Sequence, residues 1–238
     1  MDTEKDTVTE ESSHIHCIGC SIEHELKAHV PFTLLGTLTG AFILWWMLSL
    51  KLEQKTSSNL FDIFHPTHVF FSAMTTAAVY YLHNKKCGML KLLLVGYFGS
   101  IGIATLSDCV IPFIGEVILN LHHPELHLGF IDLWYIVNPL AILGVLVARL
   151  LPVSKFPHFM HVQISTWASL FHIMMAIEAP ISTGIFLLIV LFLFLAVWIP
   201  CCTSDIVFPL LFTKTSHPEN HHEKNAPSNP PQSPDSDQ

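Results

Sequence analysis

The chain has 238 residues, 51% of them apolar and only 13% Asp, Glu, Lys or Arg, with a formal net charge of −8. A soluble domain carries about 25% charged residues, so a water-soluble globule is excluded for most of the chain. The negative charge sits largely in the two ends, 2–25 and 219–237, and no basic patch offers itself to nucleic acid.

Residues 1–29 are polar and hold His14, His16, Cys17 and Cys20. That spacing offers imidazole and thiolate donors to a soft metal ion. The first apolar run follows an acidic leader rather than a short basic one, so no cleavable secretory signal is expected. The six cysteines do not form a secreted disulfide framework, since Cys109, Cys201 and Cys202 fall in or beside apolar runs.

Beyond the tail come runs of about 20 apolar residues, the length a helix needs to cross a bilayer. The first covers 31–50 and ends in Trp45 and Trp46, side chains suited to a headgroup interface. The second covers 66–82. The third, 90–119, is overlong and interrupted by Asp108 and Pro112. A histidine-rich connector, 120–132, carries His122, His123, Glu125 and His127. The fourth run is 133–151, the fifth 159–177 and the sixth 185–212, the last broken by Pro200 and containing Asp205 and Pro209. A tail rich in Pro, Ser, Asn and His, 213–238, is expected to be flexible.

One pattern occurs twice. His65-Pro66-Thr67-His68-Val69-Phe70-Phe71-Ser72 and His158-Phe159-Met160-His161-Val162-Gln163-Ile164-Ser165 both reduce to H-x-x-H-V-x-x-S, 93 residues apart. Ser107-Asp108-Cys109-Val110-Ile111-Pro112 returns as Ser204-Asp205-Ile206-Val207-Phe208-Pro209, 97 residues on. Two unrelated polar patterns recurring in one order at nearly one offset indicate an internal duplication. The expectation is an all-α, polytopic membrane protein of about six transmembrane helices. Repeat one is 30–119 and repeat two is 133–212, with three spans each. Three is an odd number of crossings, so the second copy is inserted upside down, a recurrent transporter architecture. With the N-terminus in the cytoplasm, nine Lys and Arg residues fall inside and two outside, which satisfies the positive-inside rule. Both termini are then cytoplasmic.

Polar residues at helical spacing must face another helix or a water-filled cavity, because lipid offers no partner. His158, His161, Ser165, Ser169 and His172 share one helix face. His65, His68, Ser72, Thr76 and His83 make a comparable stripe. A solitary membrane histidine commonly only packs and hydrogen-bonds, and Ser72 and Ser165 need do no more than bond a helix carbonyl. The repetition is what points to function. The orientation predicts one cluster near each membrane face: His65, His68, Asp108 and His172 outside, and His158, His161, Asp205 and His83 inside. Imidazoles with a carboxylate suit zinc or ferrous iron. The favoured function is a membrane transporter of a divalent transition-metal ion, zinc or iron in type, rather than an enzyme. Its partners would be the metal ion and the lipid bilayer, and the sequence is compatible with a homo-oligomer. One alternative is a di-haem electron carrier, with His68 and His83 on one helix facing His158 and His172 on another. The other is an intramembrane metal-dependent hydrolase, with Glu116 and Glu178 near span ends.

Overall fold

In a stretch with no water to bond, the backbone must satisfy its own donors and acceptors, and a helix does so within one segment. The computed structural model describes residues 27, 30–51, 53–152, 155–178, 180–202 and 208, and it is all-α. Helix α1 is Val30–Leu50. It is followed by α2 (Gln54–His83), α3 (Met89–Thr105), a π-helical turn (Leu106–Val110) and α4 (Ile111–Ile118). A short α5 (Gly129–Asp132) lies in the connector, and α6 (Trp134–Leu150), α7 (Lys155–Met175) and α8 (Thr183–Cys202) complete the bundle. Asp205, the His14, His16, Cys17, Cys20 cluster and the C-terminal tail lie outside the described residues.

Among the described residues, three rods are long and apolar enough to cross a membrane: α1, the continuous Met89–Ile118 rod, and α8. Helix α6 is apolar but one residue short of that length class, at 17 residues. Helices α2 and α7 carry the polar stripes, and most of each stripe is enclosed. His65, His68, Ser72, Thr76, His161, Ser165, Ser169 and His172 are all buried, whereas Phe42, Trp46, Phe98 and Leu187 are exposed. An apolar exterior around a polar seam is the arrangement a bilayer selects.

Helix α2 is the hub, packed on α3, α6 and α7. It runs antiparallel to α7, since Phe61 meets His172 while His68 meets His161. It runs parallel to α6, whose Gly144 lies against Ala73 and whose Arg149 guanidinium sits 4.6 Å over the Tyr81 ring. Helix α1 lies parallel to α7: Phe32 contacts His158, and the Thr39 hydroxyl accepts from Gln163 (2.6 Å) and Trp167 (3.2 Å).

Two boundaries differ from the sequence reading. The second run was expected to begin at Pro66, yet α2 starts at Gln54 and Pro66 lies inside it. Hydropathy registers only the apolar part, while the preceding polar residues extend the same helix and bury Ser57 and Phe61 on its inner face. The third run is interrupted without being broken. The Ile111 N–H bonds the Leu106 carbonyl, five residues back. A wider turn relieves the crowding that the Pro112 ring would impose on the carbonyl four residues before it.

Gly144 permits the α2–α6 approach, because a Cβ there would overlap the Phe70 carbonyl oxygen, and main chain cannot rotate away. Gly102, also helical, has nothing within 4 Å of the same position. Gly144→Ala should therefore destabilise by about 1–3 kcal/mol through overpacking. Gly102→Ala should be neutral or stabilising by up to about 1 kcal/mol through helix propensity. Thermal melts of the two variants in detergent compare them directly, and equal melting temperatures would contradict the packing described.

Candidate functional site

Asp108 sits within the π-helical turn, fully buried, and its carboxylate is the meeting point of three segments. Oδ2 accepts from His65 Nδ1 (3.0 Å) and His68 Nδ1 (2.7 Å), both on α2. Oδ1 accepts from the hydroxyls of Ser107 (2.7 Å) and, on α7, Ser165 (3.0 Å). Ser169 donates to the Ser107 carbonyl (2.8 Å), which ties α7 to the same turn a second time. The π-turn aims the carboxylate. One extra residue per turn rotates Asp108 toward α2 and α7, and such bulges gather at functional positions.

A carboxylate only accepts, so each Nδ1 facing Asp108 carries a proton and each neutral ring presents an Nε2 lone pair. The Nε2 atoms of His65 and His68 are buried and have no hydrogen-bond partner among the described residues. The same arrangement recurs at the far end of α7. There His172 Nδ1 donates to Glu116 Oε1 (2.7 Å), and both His172 Nε2 and Glu116 Oε2 are buried without a partner among the described residues.

The imidazoles form a line. His158 and His161 rings lie 5.4 Å apart and His161 stands edge-to-face with His68 at 5.3 Å. His65 stacks on Phe61 at 5.1 Å, and Phe61 meets His172 at 5.4 Å. The line ends with His127 of the connector, 5.7 Å from His172. Gly129, at the start of α5, packs its Cα so close to His65 that any Cβ would overlap Nε2 and Cδ2. A glycine is required at that contact.

The sequence reading separated these residues into two clusters, one per membrane face. Instead His65, His68, Asp108, His158, His161 and His172 form one connected series, and His68 stands midway along α2. The reason is the longer α2, in which His65 and His68 stand near the middle of the helix rather than at its start. His83 stands apart: it is exposed, and its Nδ1 donates to its own helix at Val79 O (2.9 Å). That position gives the His68/His83 haem pairing no support. Glu116 is the partner that the metal-site reading missed. Its spacing from Asp108, eight residues on in the same rod, places it two turns further along one face, and that was the available signal. Among the described residues, no three His, Cys, Asp or Glu side chains converge closely enough to hold a metal ion as they stand.

The chain matches no protein-family model, and neither curated proteins nor solved structures show a significant similarity to it.

Asp108→Ala would leave two imidazole N–H groups and two hydroxyls without their acceptor in a buried site. Breaking a buried charged network typically costs about 3–5 kcal/mol. Asp108→Asn, which keeps one carbonyl oxygen as acceptor, should cost less, and Ser165→Ala should cost about 1 kcal/mol for one lost hydrogen bond. Melting temperatures in detergent should fall in the order Ser165→Ala, Asp108→Asn, Asp108→Ala. Any other ranking would mean that Asp108 is not the shared acceptor.

Proposed function

We propose that the chain is a six-span membrane transporter for a divalent transition-metal ion of the zinc or iron type, built from two oppositely inserted three-helix copies. The observation that carries this reading is the state of the buried histidines. His65 and His68 each have Nδ1 fixed on a carboxylate and Nε2 without a partner among the described residues. A carboxylate behind the ring is how metal-binding histidines are oriented and made more basic. An unsatisfied buried acceptor costs about 1–3 kcal/mol, a cost that a bound cation removes. The low local ligand number suits a cargo that must leave again, and the line from His158 to His172 gives it successive stations.

The inverted repeat has support in which residues touch. His68 and His161 are equivalent positions of the H-x-x-H pattern, and their rings meet. Equivalent residues make contact only beside the symmetry axis that relates them. Ala73 and Thr166 are likewise equivalent, and each is met by glycines from the other copy's partner helix: Gly144 of α6 on Ala73, and Gly36 and Gly40 of α1 on Thr166. Both pairings, α2 with α6 and α7 with α1, run parallel. Ser165 donates to Asp108, whereas its equivalent Ser72 has a buried hydroxyl with no partner among the described residues. The sequence counterpart of Asp108 is Asp205.

Purified protein reconstituted in proteoliposomes should take up zinc, ferrous iron, manganese or nickel faster than leak and with saturation. His68→Asn and Asp108→Asn should each lower that rate at least tenfold. Uptake by the wild type no faster than leak for all four ions would overturn the reading.

A further inference from the structure

Outside the Asp108 centre lies a cavity of about 390 Å³, where α2 begins and α7 ends. Its floor is the Glu116–His172 pair, and its rim carries His123, Glu125, His127 and Glu178. The floor is buried, and both Glu116 Oε2 and His172 Nε2 lack a partner among the described residues. These two atoms share a chemistry: each is a lone-pair donor, and neither has a proton to offer the other's neighbour. A metal cation can satisfy both at once, as can a donor such as a water or the Lys55 ammonium that lines the same cavity.

The rim is built differently. His123 Nε2 pairs with Glu178 Oε1 at 2.9 Å and His127 Nε2 with Glu125 Oε2 at 3.5 Å, with side chains between 39% and 70% exposed. Exposed pairs of this kind contribute about 0–1 kcal/mol, so their imidazoles can be recruited at little cost. The connector is pinned in reach, since the N–H groups of His122 and His123 both bond the Ala176 carbonyl just past α7. The His127 ring already stands 5.7 Å from that of His172. Charge favours a cation. Three carboxylates face one ammonium, that of Lys55, and the negative dipole ends of α4 and α7 outnumber the positive end that α2 brings.

We propose that this cavity is the capture site for a divalent transition-metal ion, with Glu116 and His172 as fixed ligands and His127 and His123 as mobile ones that close on the ion. As transport cargo the ion depends on the function proposed above, although binding at this site can be read without transport. The imidazole-rich donor set selects zinc or nickel over calcium or magnesium, which prefer oxygen ligands.

The test is zinc titration calorimetry on the full chain in detergent, with circular dichroism to confirm that each variant is folded. Glu116→Gln and His127→Asn should each weaken the tightest zinc site at least tenfold, and His127→Asn alters only a half-buried connector residue. Asp108→Asn, which disables the central site, should leave that affinity within twofold. Calcium at a hundredfold excess should not displace zinc. Wild-type affinity in the folded His127→Asn and Glu116→Gln variants, or displacement by calcium, would overturn the proposal. Loss of tight binding in Asp108→Asn alone would overturn it too, while favouring the central site. Intact cavity binding in a protein that fails to transport would leave this site standing and remove the transport reading.

Discussion

The bundle depends on one carboxylate having all its lone pairs used. Asp108 accepts from two imidazoles and two hydroxyls supplied by α2, its own π-turn and α7. In a low-dielectric interior an ionised carboxylate costs several kcal/mol unless it is hydrogen-bonded from all sides. That requirement fixes more than one contact. It sets the rotation of α2, because His65 and His68 must both reach Oδ2. It sets the register of α7, because Ser165 must reach Oδ1. It also accounts for the π-turn, since a regular helix through residue 108 would aim the side chain elsewhere.

Outside this centre the helices are arranged so that the polar seam is enclosed and the exterior is largely apolar. The apolar rods α1, Met89–Ile118 and α8 lie around α2 and α7. Association among apolar helices in a bilayer has no hydrophobic drive, so close backbone approach and polar contacts must supply it. Gly144 against the Phe70 main chain and Gly96 against Ala77 and Val145 provide the first. Gln163 and Trp167 donating to Thr39 provide the second. The outward faces, with Trp45 and Trp46 at the end of α1, are left apolar or interfacial.

Much of this was legible in the sequence, and the parts that were not have separate causes. The H-x-x-H-V-x-x-S stripes mark which helices are inside, because a stripe at helical spacing survives any change of boundary. The meeting of His65 and His68 with Asp108 was legible as well, since no other carboxylate of the first copy lies so deep in an apolar run. Depth was not. Hydropathy began the second run at Pro66, and the helix begins at Gln54, because a residue such as Asn59 or Asp62 is silent to hydropathy yet helical in context. Two expected clusters thereby became one line of rings. The π-turn was hidden for a different reason: Pro112 announces a lost hydrogen bond, and whether the chain breaks or widens is decided by tertiary contacts. Glu116 went unused as a metal-site residue because a carboxylate near a span end reads as an interfacial group until His172 is seen 2.7 Å away.

The contact between His68 and His161 also limits how such a centre can work. On the transport reading, each copy of the H-x-x-H pattern is a binding station, and the two stations touch at 5.3 Å between ring centroids. Two dications held on these rings would lie about 5–10 Å apart and repel by on the order of 7–13 kcal/mol at an effective dielectric of about 20. Two-metal sites offset such repulsion with bridging anionic ligands, and a ring-to-ring contact of two imidazoles supplies none, so filling both stations at once would be disfavoured. On that reading the seam would favour one ion at a time. An arriving ion at Glu116 and His172 would then be held apart from the centre, with the Phe61 ring between His172 and His65, until the ion ahead has left. On the transport reading, duplication of the motif would provide two half-sites for a single cargo, and exchange between them is a step that an inverted repeat is suited to drive.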